Sequence, residues 1–290
     1  MKKSSLIIIV LSLLTLNCAK QACDPSIRVM TFNVRLNTPD DGENAWPNRK
    51  DIAASMIRFH KADIVGVQEA LKDQMDDLAL SLPDYGWYGL GRDDGKEAGE
   101  YMSVFYRKDR FDVLRDSTLW LSETPDSVSK GWDAMCFRTV TVMKFKDLRT
   151  GKVFYLFNTH FDHKGEIARR ESANLLLSSV EKIAGTAPVI VTGDFNSGPE
   201  SEPYQILRSG LPGQVSTKLI DTKYISKYPH HGPNGTISRF QSANLPDNKT
   251  IDYIFIKNKV SVIRHGTLSD SFDGRFPSDH LLVLAELIIN

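Results

Sequence analysis

The sequence predicts a single α/β domain in which sheets and helices form layers. From Ile27 onward, short β-rich runs alternate with stretches of helical periodicity. No repeat or low-complexity segment interrupts this alternation. The chain has 290 residues, of which 41% are hydrophobic and 25% are charged. It is therefore long enough to bury one large core and belongs to the ordinary globular class.

Eight short apolar runs have the length and composition of strands. They are Ile27–Asn33, Asp63–Gln68, Ser103–Tyr106, Thr139–Phe145, Val153–Asn158, Val189–Thr192, Ile251–Ile256 and Leu281–Ile289. The third and fourth runs are predicted as strands of a meander, which the fifth run continues. Gly151 offers the turn between the fourth and fifth runs.

Two stretches have the periodicity of amphipathic helices. Arg49–His60 places Ile52, Met56 and Phe59 on one helical face. Ile167–Ala184 is the clearer example, because its apolar side chains recur at helical spacing over its whole length. Three polar stretches rich in Gly, Pro or Asn are predicted as loops that rim a site: Asp40–Asn48, Arg92–Gly99 and Lys227–Asn248.

Residues 1–22 are predicted to direct export, which leaves residues 23–290 as the folded domain. Lys2 and Lys3 precede an apolar run from Leu6 to Leu16, the layout of a secretory signal. The run is shorter than the roughly 20 residues that a permanent membrane-spanning helix needs. It also lacks the amphipathic periodicity expected of a buried N-terminal helix.

Cys18 directly follows this apolar run, at the position where a bacterial lipoprotein is cleaved and acylated. The preceding Thr15–Asn17 fits the lipobox imperfectly, because the residue before the cysteine is usually smaller. Lipidation of Cys18 is the favoured expectation, and simple secretion is the alternative. The protein is therefore expected to be a periplasmic or outer-membrane-anchored lipoprotein, or otherwise a secreted protein.

Charge and cysteine content exclude several classes of protein. Lys plus Arg equals Asp plus Glu at 36 each, so no basic excess holds a polyanion by counterion release. Tight nonspecific binding of nucleic acid is therefore not expected. Cys18, Cys23 and Cys136 lack the spacing of a disulfide framework or a zinc site. We expect a monomer, and we expect its stability to come from the hydrophobic core.

Residues able to bind a metal ion or phosphate stand repeatedly at the ends of the predicted strands. They are Asn33, Glu69, His160, Asp194 with Asn196, Asp252, and Asp279 with His280. A single residue of this kind is more often a turn or helix-cap residue. Their recurrence predicts that one rim of the sheets converges on a polar, acidic pocket. Oxygen ligands of this kind suit Mg²⁺ or Mn²⁺.

Six segments resemble, in order, the motifs of the endonuclease/exonuclease/phosphatase superfamily, to which deoxyribonuclease I belongs. They are Thr31–Arg35, Val67–Glu69, Asn158–His160, Gly193–Asn196, Ile251–Ile254 and Ser278–His280. Each segment is a weak signal alone, but six in the right order across nearly the whole chain are specific. The resemblance implies a four-layer α/β/β/α sandwich, with two mixed sheets face to face and helices outside.

The resemblance also implies a centre for Mg²⁺ or Mn²⁺. Glu69 is the implied metal ligand, and Asn33 and Asp279 complete or border the metal shell. Phosphate oxygens bound to such a cation lose negative charge and become easier to attack.

The remaining motif residues take implied catalytic roles. Asp194 would orient and deprotonate the attacking water, and Asn196 would hold the phosphate or the water. His280 would contact the phosphate as an acid or transition-state stabiliser, while Asp252 fixes its tautomer. His160 is the second histidine of the site. An unperturbed aspartate is a weak base, so activation of water by Asp194 or by a histidine stays open.

Three further positions carry fainter matches. Glu100 falls where nuclease relatives keep a glutamate that orients the second histidine, here His160. Arg138 falls where relatives use an arginine on the substrate phosphate, and Arg35 is a weaker candidate for that role. A surface salt bridge would explain Glu100 or Arg138 equally well. His163 is a candidate to line the pocket, and the other histidines are expected on the surface or in loops: His60, His230, His231 and His265.

We expect a hydrolase that cuts a phosphate mono- or diester with a metal ion and water, without a covalent intermediate. The superfamily includes nucleases, inositol-phosphate phosphatases and sphingomyelinases, so membership does not choose the substrate. Export and neutral charge favour a small phosphoester, a sugar or nucleotide phosphate, or a lipid headgroup. A secreted nuclease is the alternative. A catalytically inactive binding module is expected to lose motif residues, and this sequence retains them.

Overall fold

The computed structural model describes residues 24–242 and 249–290. The predicted export segment and Cys18 lie outside the described residues. Strands within them are β1 (Ile27–Asn33), β2 (Ile64–Gln68), β3 (Tyr85–Tyr88), β4 (Val104–Arg107), β5 (Phe111–Trp120), β6 (Thr139–Asp147), β7 (Val153–His160), β8 (Val189–Asp194), β9 (Ile220–Asp221), β10 (Asp252–Lys257), β11 (Val260–Leu268) and β12 (Leu282–Ile289). Helices are α1 (Lys50–Phe59), α2 (Lys72–Ser81), α3 (Glu166–Ala184) and α4 (Glu202–Ser209), with short 3₁₀ helices at Pro39–Asn44, Trp46–Asn48, Val215–Thr217 and Thr222–Tyr224.

The strands form two mixed sheets of six strands each. Strand order is β11-β12-β1-β2-β4-β3 in the first sheet and β5-β6-β7-β8-β10-β9 in the second. Each sheet contains one parallel pair, β1 with β2 and β7 with β8. A parallel pair needs a crossover connection, and α1 and α3 supply these two crossovers. Two strands of each sheet therefore end at the same edge.

Both faces of each sheet are buried, which produces four layers. Alternate side chains of a strand point to opposite faces of its sheet. Val29 of β1 and Leu156 of β7 therefore belong to the apolar core between the two sheets. Their neighbours Met30 and Phe157 pack on the outer faces, in the clusters that include α1 with α2 and α3 with α4. The predicted four-layer sandwich is confirmed.

Asn158 of β7 forms a polar link between the two sheets. Its Nδ2 atom donates hydrogen bonds of 2.9 Å to the backbone carbonyls of Val67 and Ser103 in the first sheet. Its Oδ1 atom accepts from Gln68 Nε2 at 2.7 Å and from Thr192 Oγ1 at 3.0 Å. All of these polar groups are buried, so the hydrogen bonds of Asn158 help to satisfy them away from water.

The structure contains all eight predicted strands and both predicted helices, with small shifts at their ends. The predicted meander is wrong in its first strand. Ser103–Tyr106 overlaps β4 of the first sheet, whereas β5, β6 and β7 form consecutive antiparallel pairs in the second sheet. The cause is the turn at Lys108–Arg110, where the chain crosses between the sheets.

Two further expectations about individual side chains are wrong. Phe59 was expected on the apolar face of α1, but it is the last helical residue and is 76% exposed. His265 was expected on the surface, but it lies in β11 and is buried. Its Nδ1 atom is 2.9 Å from His230 Nδ1.

Among the described residues, no helix combines the length and apolar character that a bilayer crossing requires.

We predict that Asn158→Ala lowers the free energy of unfolding by about 3 to 5 kcal/mol, because several buried groups lose their partner together. Urea denaturation monitored by circular dichroism measures this change. Asn174→Ala, on α3, is the matched control, since its side chain makes one hydrogen bond, to Glu171. A loss of stability no larger than that of the control would contradict the proposed role of the polar link.

Candidate active site

The polar residues predicted at strand ends meet at one rim of the sandwich. β1, β2, β7 and β8 end at this rim, and the antiparallel strands β10 and β12 begin there. In the second sheet, the register pairs His160 with Asp194 and Asp194 with Asp252. Three catalytic candidates on neighbouring strands are thus side by side, as the sequence predicts.

An acidic cluster spans the boundary between the two sheets. Ligand atoms of Glu69, Asp194 and His280 all lie within 4.8 Å of one another. Asn33 Nδ2 donates to Glu69 Oε1 at 2.9 Å and to Asp194 Oδ2 at 3.0 Å, so Asn33 joins both carboxylates. Burial and the neighbouring Glu69 raise the pKa of Asp279. Carboxylate oxygens this close together fit a hard divalent cation, which Glu69 would hold beside Asp194.

The backbone takes a left-handed conformation just after three of the strands that end at the rim. Arg35, Glu69 and Asn196 have φ values of 57°, 65° and 47°. Residues other than glycine adopt such values rarely, and functional sites hold a large share of the exceptions. Glu69 follows the end of β2 by one residue, and Asn196 follows the end of β8 by two. The sharp turns bring both residues into the rim.

His280 forms an ion pair with Asp252. Its Nδ1 atom is 2.9 Å from Asp252 Oδ2, and its Nε2 atom is 3.9 Å from Asp194 Oδ2. Burial alone lowers the pKa of His280, but the Asp252 and Asp194 carboxylates outweigh it and raise that pKa well above its usual value. A protonated His280 can donate its Nε2 proton to a phosphate oxygen or leaving group.

His160 is neutral and is oriented by Asn196. Asn196 Nδ2 is 3.0 Å from His160 Nε2 and donates to the Phe161 carbonyl at 2.9 Å. Burial and the nearby Arg138 lower the pKa of His160 well below its usual value. Because Nε2 accepts from Asn196, the ring proton is on Nδ1. That atom is 3.8 Å from Glu100 Oε2, which is beyond hydrogen-bond distance, so orientation of His160 by Glu100 stays a prediction.

Asp194 is suited to act as a base near neutral pH. Burial and the neighbouring Asp252 raise the pKa of Asp194 to about 7. The backbone N–H of Asn196 donates to Asp194 Oδ1 at 2.9 Å and fixes the carboxylate. A base with a pKa near the working pH is effective in proton transfer. A cation held by Glu69 would oppose this shift of the pKa.

The predicted arginines occupy different surroundings. Arg138 is buried, and its Nε atom is 3.3 Å from Asp162 Oδ2. Its Nη2 atom is 2.9 Å from His163 Nδ1. Arg35 lies at the cavity edge and makes two hydrogen bonds with Asp41, of 3.0 and 3.1 Å.

Arg92 and Asp162 belong to the site although no sequence motif indicated them. Arg92 begins a stretch predicted as a rim loop, and its Nη1 atom donates to Glu100 Oε2 at 2.5 Å. Asp162 lies within 4.8 Å of Cys136 and His163 in a second group of metal-ligand atoms. Its oxygens are already occupied by four backbone N–H donors, from residues 135, 136, 164 and 165. Asp162 is therefore a structural acceptor for this loop and for Arg138.

Most of these groups border one cavity of about 320 Å³, although Asn33, Asp162, Asp252 and Asp279 are not among its lining residues. Its lining residues are Arg35, Leu36, Glu69, Arg92, Glu100, Cys136, Arg138, His160, His163, Asp194, Asn196 and His280. A four-layer sandwich with an acidic, histidine-containing rim of this kind defines a metal-dependent phosphoester hydrolase.

Comparison with known proteins agrees with this class. The model of the Endonuclease/Exonuclease/phosphatase family matches residues 30–280, and the chain belongs to this family. A family member of known structure from Bacteroides vulgatus is 41% identical, with a TM-score of 0.86 over 91% of this chain and 99% of that chain. A mannosyl-6-phosphatase from Bacteroides thetaiotaomicron is 35% identical, with a TM-score of 0.83 over 90% of this chain and 99% of that chain.

More distant relatives are longer proteins. The CCR4-Not complex 3'-5'-exoribonuclease subunit Ccr4 of Mycosarcoma maydis is 23% identical over 92% of this chain. The chain spans 51% of the length of that relative. Family members are divalent-metal-dependent hydrolases of phosphoester bonds, so this protein is an enzyme of that class.

We predict that His280→Ala lowers kcat by about a hundredfold to ten-thousandfold, and that Asp252→Asn lowers it less. Under the predicted roles, Asp252 only holds the ring, whereas His280 itself contacts the reacting group. The double variant should be little worse than His280→Ala, because residues acting as one unit are not additive. KM should change less than kcat in steady-state assays.

His60→Ala is the control for this series, since His60 lies at the end of α1 and contacts Asp270 at 3.2 Å. If His280→Ala kept a kcat close to that of the control, the catalytic assignment of His280 would be wrong.

Proposed function

We propose that the protein is an exported phosphatase that uses Mg²⁺ or Mn²⁺ to hydrolyse a small sugar phosphate monoester. The observation that carries this proposal is the likeness to the mannosyl-6-phosphatase, which extends over 90% of this chain and 99% of that one. Activity on a sugar phosphate is a property of that relative, and here it is the proposal.

Cavity size and charge support a small substrate. A volume of about 320 Å³ lies at the lower end of the range for small-molecule sites. The sequence carries no net charge, whereas a protein that holds a nucleic-acid backbone uses an excess of Lys and Arg. Nuclease activity is the second candidate, since a Ccr4 exoribonuclease subunit is among the relatives.

Each site residue has a separate role in the proposed reaction. The cation would withdraw charge from the phosphate oxygens, with Glu69 as its carboxylate ligand. Asp194 would accept a proton from the water whose oxygen attacks phosphorus. His280 would donate its Nε2 proton to the sugar oxygen as the phosphorus–oxygen ester bond breaks. The Asp252 carboxylate stabilises the charged ring before that transfer.

We predict that mannose 6-phosphate and p-nitrophenyl phosphate are hydrolysed faster than bis-p-nitrophenyl phosphate, plasmid DNA or sphingomyelin. Activity should require Mg²⁺ or Mn²⁺ and be lost in EDTA. Glu69→Gln should raise the metal concentration needed for half-maximal activity, because it removes a charged ligand. Phosphate release, product chromatography and gel electrophoresis provide the measurements.

Glu43→Gln, a substitution at an exposed position of the 3₁₀ helix Pro39–Asn44, is the matched control for the loss of a carboxylate. Full activity after dialysis against EDTA would contradict the metal assignment. Faster cleavage of DNA than of any monoester would replace the phosphatase proposal with the nuclease.

Export and lipid anchoring at Cys18 complete the proposed function. Cys18 precedes Asp24, the first described residue, by six positions. β1 runs from Ile27 to Asn33, so its first residue lies at the end of the sheet opposite the active site. The described domain therefore begins at the end of the first sheet remote from the active site, which is compatible with a lipid anchor at Cys18.

We predict that Cys18→Ser moves the protein from the membrane fraction to the soluble fraction and abolishes its labelling by radioactive palmitate. Cys23→Ser is the matched control and should remain in the membrane fraction. Unchanged fractionation of Cys18→Ser would rule out the lipid anchor.

A further inference from the structure

One corner of the active-site cavity contains buried donors without hydrogen-bond acceptors. Arg138 Nη1, Arg92 Nε and His160 Nδ1 have no hydrogen-bond partner among the described residues. The exposed fractions of these residues are 3%, 8% and 3%. All three line the same cavity. Because buried polar groups are normally paired, the corner is built to receive an acceptor that the chain does not supply.

Glu100 places a free acceptor in the same corner. Its Oε2 atom accepts from Arg92 Nη1 at 2.5 Å and lies 4.0 Å from Arg138 Nη1. Its Oε1 atom accepts no hydrogen bond from the described residues. A ligand group in this corner therefore meets N–H donors and a carboxylate oxygen together.

The charge of the corner argues against a phosphate group there. Glu100 offsets Arg92, and Asp162 offsets Arg138 through a contact of 3.3 Å. A phosphate dianion only accepts hydrogen bonds, so it cannot pair with Glu100 when that carboxyl group, whose pKa burial raises to about 7, is ionised. A hydroxyl group both donates and accepts, so it can satisfy Glu100 and an arginine at once.

We propose that Glu100, Arg92 and Arg138 form a subsite for the hydroxyl groups of the sugar leaving group. The phosphate then lies beside Glu69, Asp194 and His280, on the other side of His160. This inference rests on the proposed phosphatase function and names the substrate contacts of that site. It differs from the role that the family resemblance implies for Arg138, which is contact with the substrate phosphate.

The test compares mannose 6-phosphate with hexyl phosphate, a primary alkyl monoester whose leaving group has no further hydroxyl groups. The wild-type enzyme should prefer mannose 6-phosphate by roughly a hundredfold or more in kcat/KM, since the alkyl chain leaves buried polar groups unpaired. Glu100→Gln and Arg138→Gln should each reduce this preference about tenfold or more, chiefly through KM for the sugar phosphate. Glu43→Gln is the exposed control and should keep the preference.

Inhibition by inorganic phosphate helps to distinguish the proposed subsite from two other roles: phosphate binding by Arg138 and positioning of His160 by Glu100. Under the proposal, Arg138→Gln weakens binding of mannose 6-phosphate more than it weakens inhibition by phosphate. Equal weakening of both would show that Arg138 binds phosphate. A lower kcat on both substrates with an unchanged preference would show that Glu100 acts by positioning His160. Either result overturns the subsite.

Failure of the inference is distinguishable from failure of the proposed function. If the wild-type enzyme prefers sugar phosphates and the Glu100 and Arg138 variants keep that preference, only the subsite is wrong. If the wild-type enzyme hydrolyses hexyl phosphate as fast as every sugar phosphate tested, the sugar phosphatase proposal fails as well. Circular dichroism of each variant establishes that the compared enzymes are folded.

Discussion

The active site depends on how the two sheets are aligned, and the buried side chain of Asn158 sets that alignment. It bonds to the carbonyl of Val67, two residues before Glu69, and lies two residues before His160 on its own strand. Any slip between the sheets would break these bonds and move the two sides of the site apart. Gly66 provides the necessary space, since a Cβ atom there would lie 2.4 Å from Asn158 Oδ1. One polar contact thus constrains both the core and the rim.

This alignment explains the electrostatics of the site. The first sheet and its flanking loops supply Asn33, Glu69 and His280, while the second supplies Asp194 and Asp252. Hydrogen bonds from Asn33 to Asp194 and from His280 to Asp252 cross between them. Packing therefore brings carboxylates together in a buried place, which raises the pKa of Asp194 and, through the nearby carboxylates, that of His280. Neither shift exists in an isolated strand.

The sequence predicts which polar residues meet at the rim, because these residues adjoin apolar strands whose ends are easily recognised. It fails for β5, whose side chains from Asp112 to Leu119 are largely exposed, so the strand lacks an apolar run. It also fails for Phe59, because periodicity does not show where a helix stops contacting the core. Arg92 contacts Glu100 and Asp162 contacts Arg138, and only the packing of the loops reveals these contacts.

The two sides of the cavity have different electrostatic character, although the chain as a whole is neutral. Around Glu69 and Asp194, carboxylates lie so close together that a cation would relieve their repulsion and attract a phosphate. Around Glu100, each arginine already has a carboxylate partner, so the surroundings are polar but balanced. His160 is neutral and buried, and its ring lies between Glu100 and Asp194, with Nδ1 3.8 Å from Glu100 Oε2 and Nε2 3.4 Å from Asp194 Oδ2. This difference between the two sides supports the proposed substrate, a molecule with a charged end and an uncharged, hydrogen-bonding body.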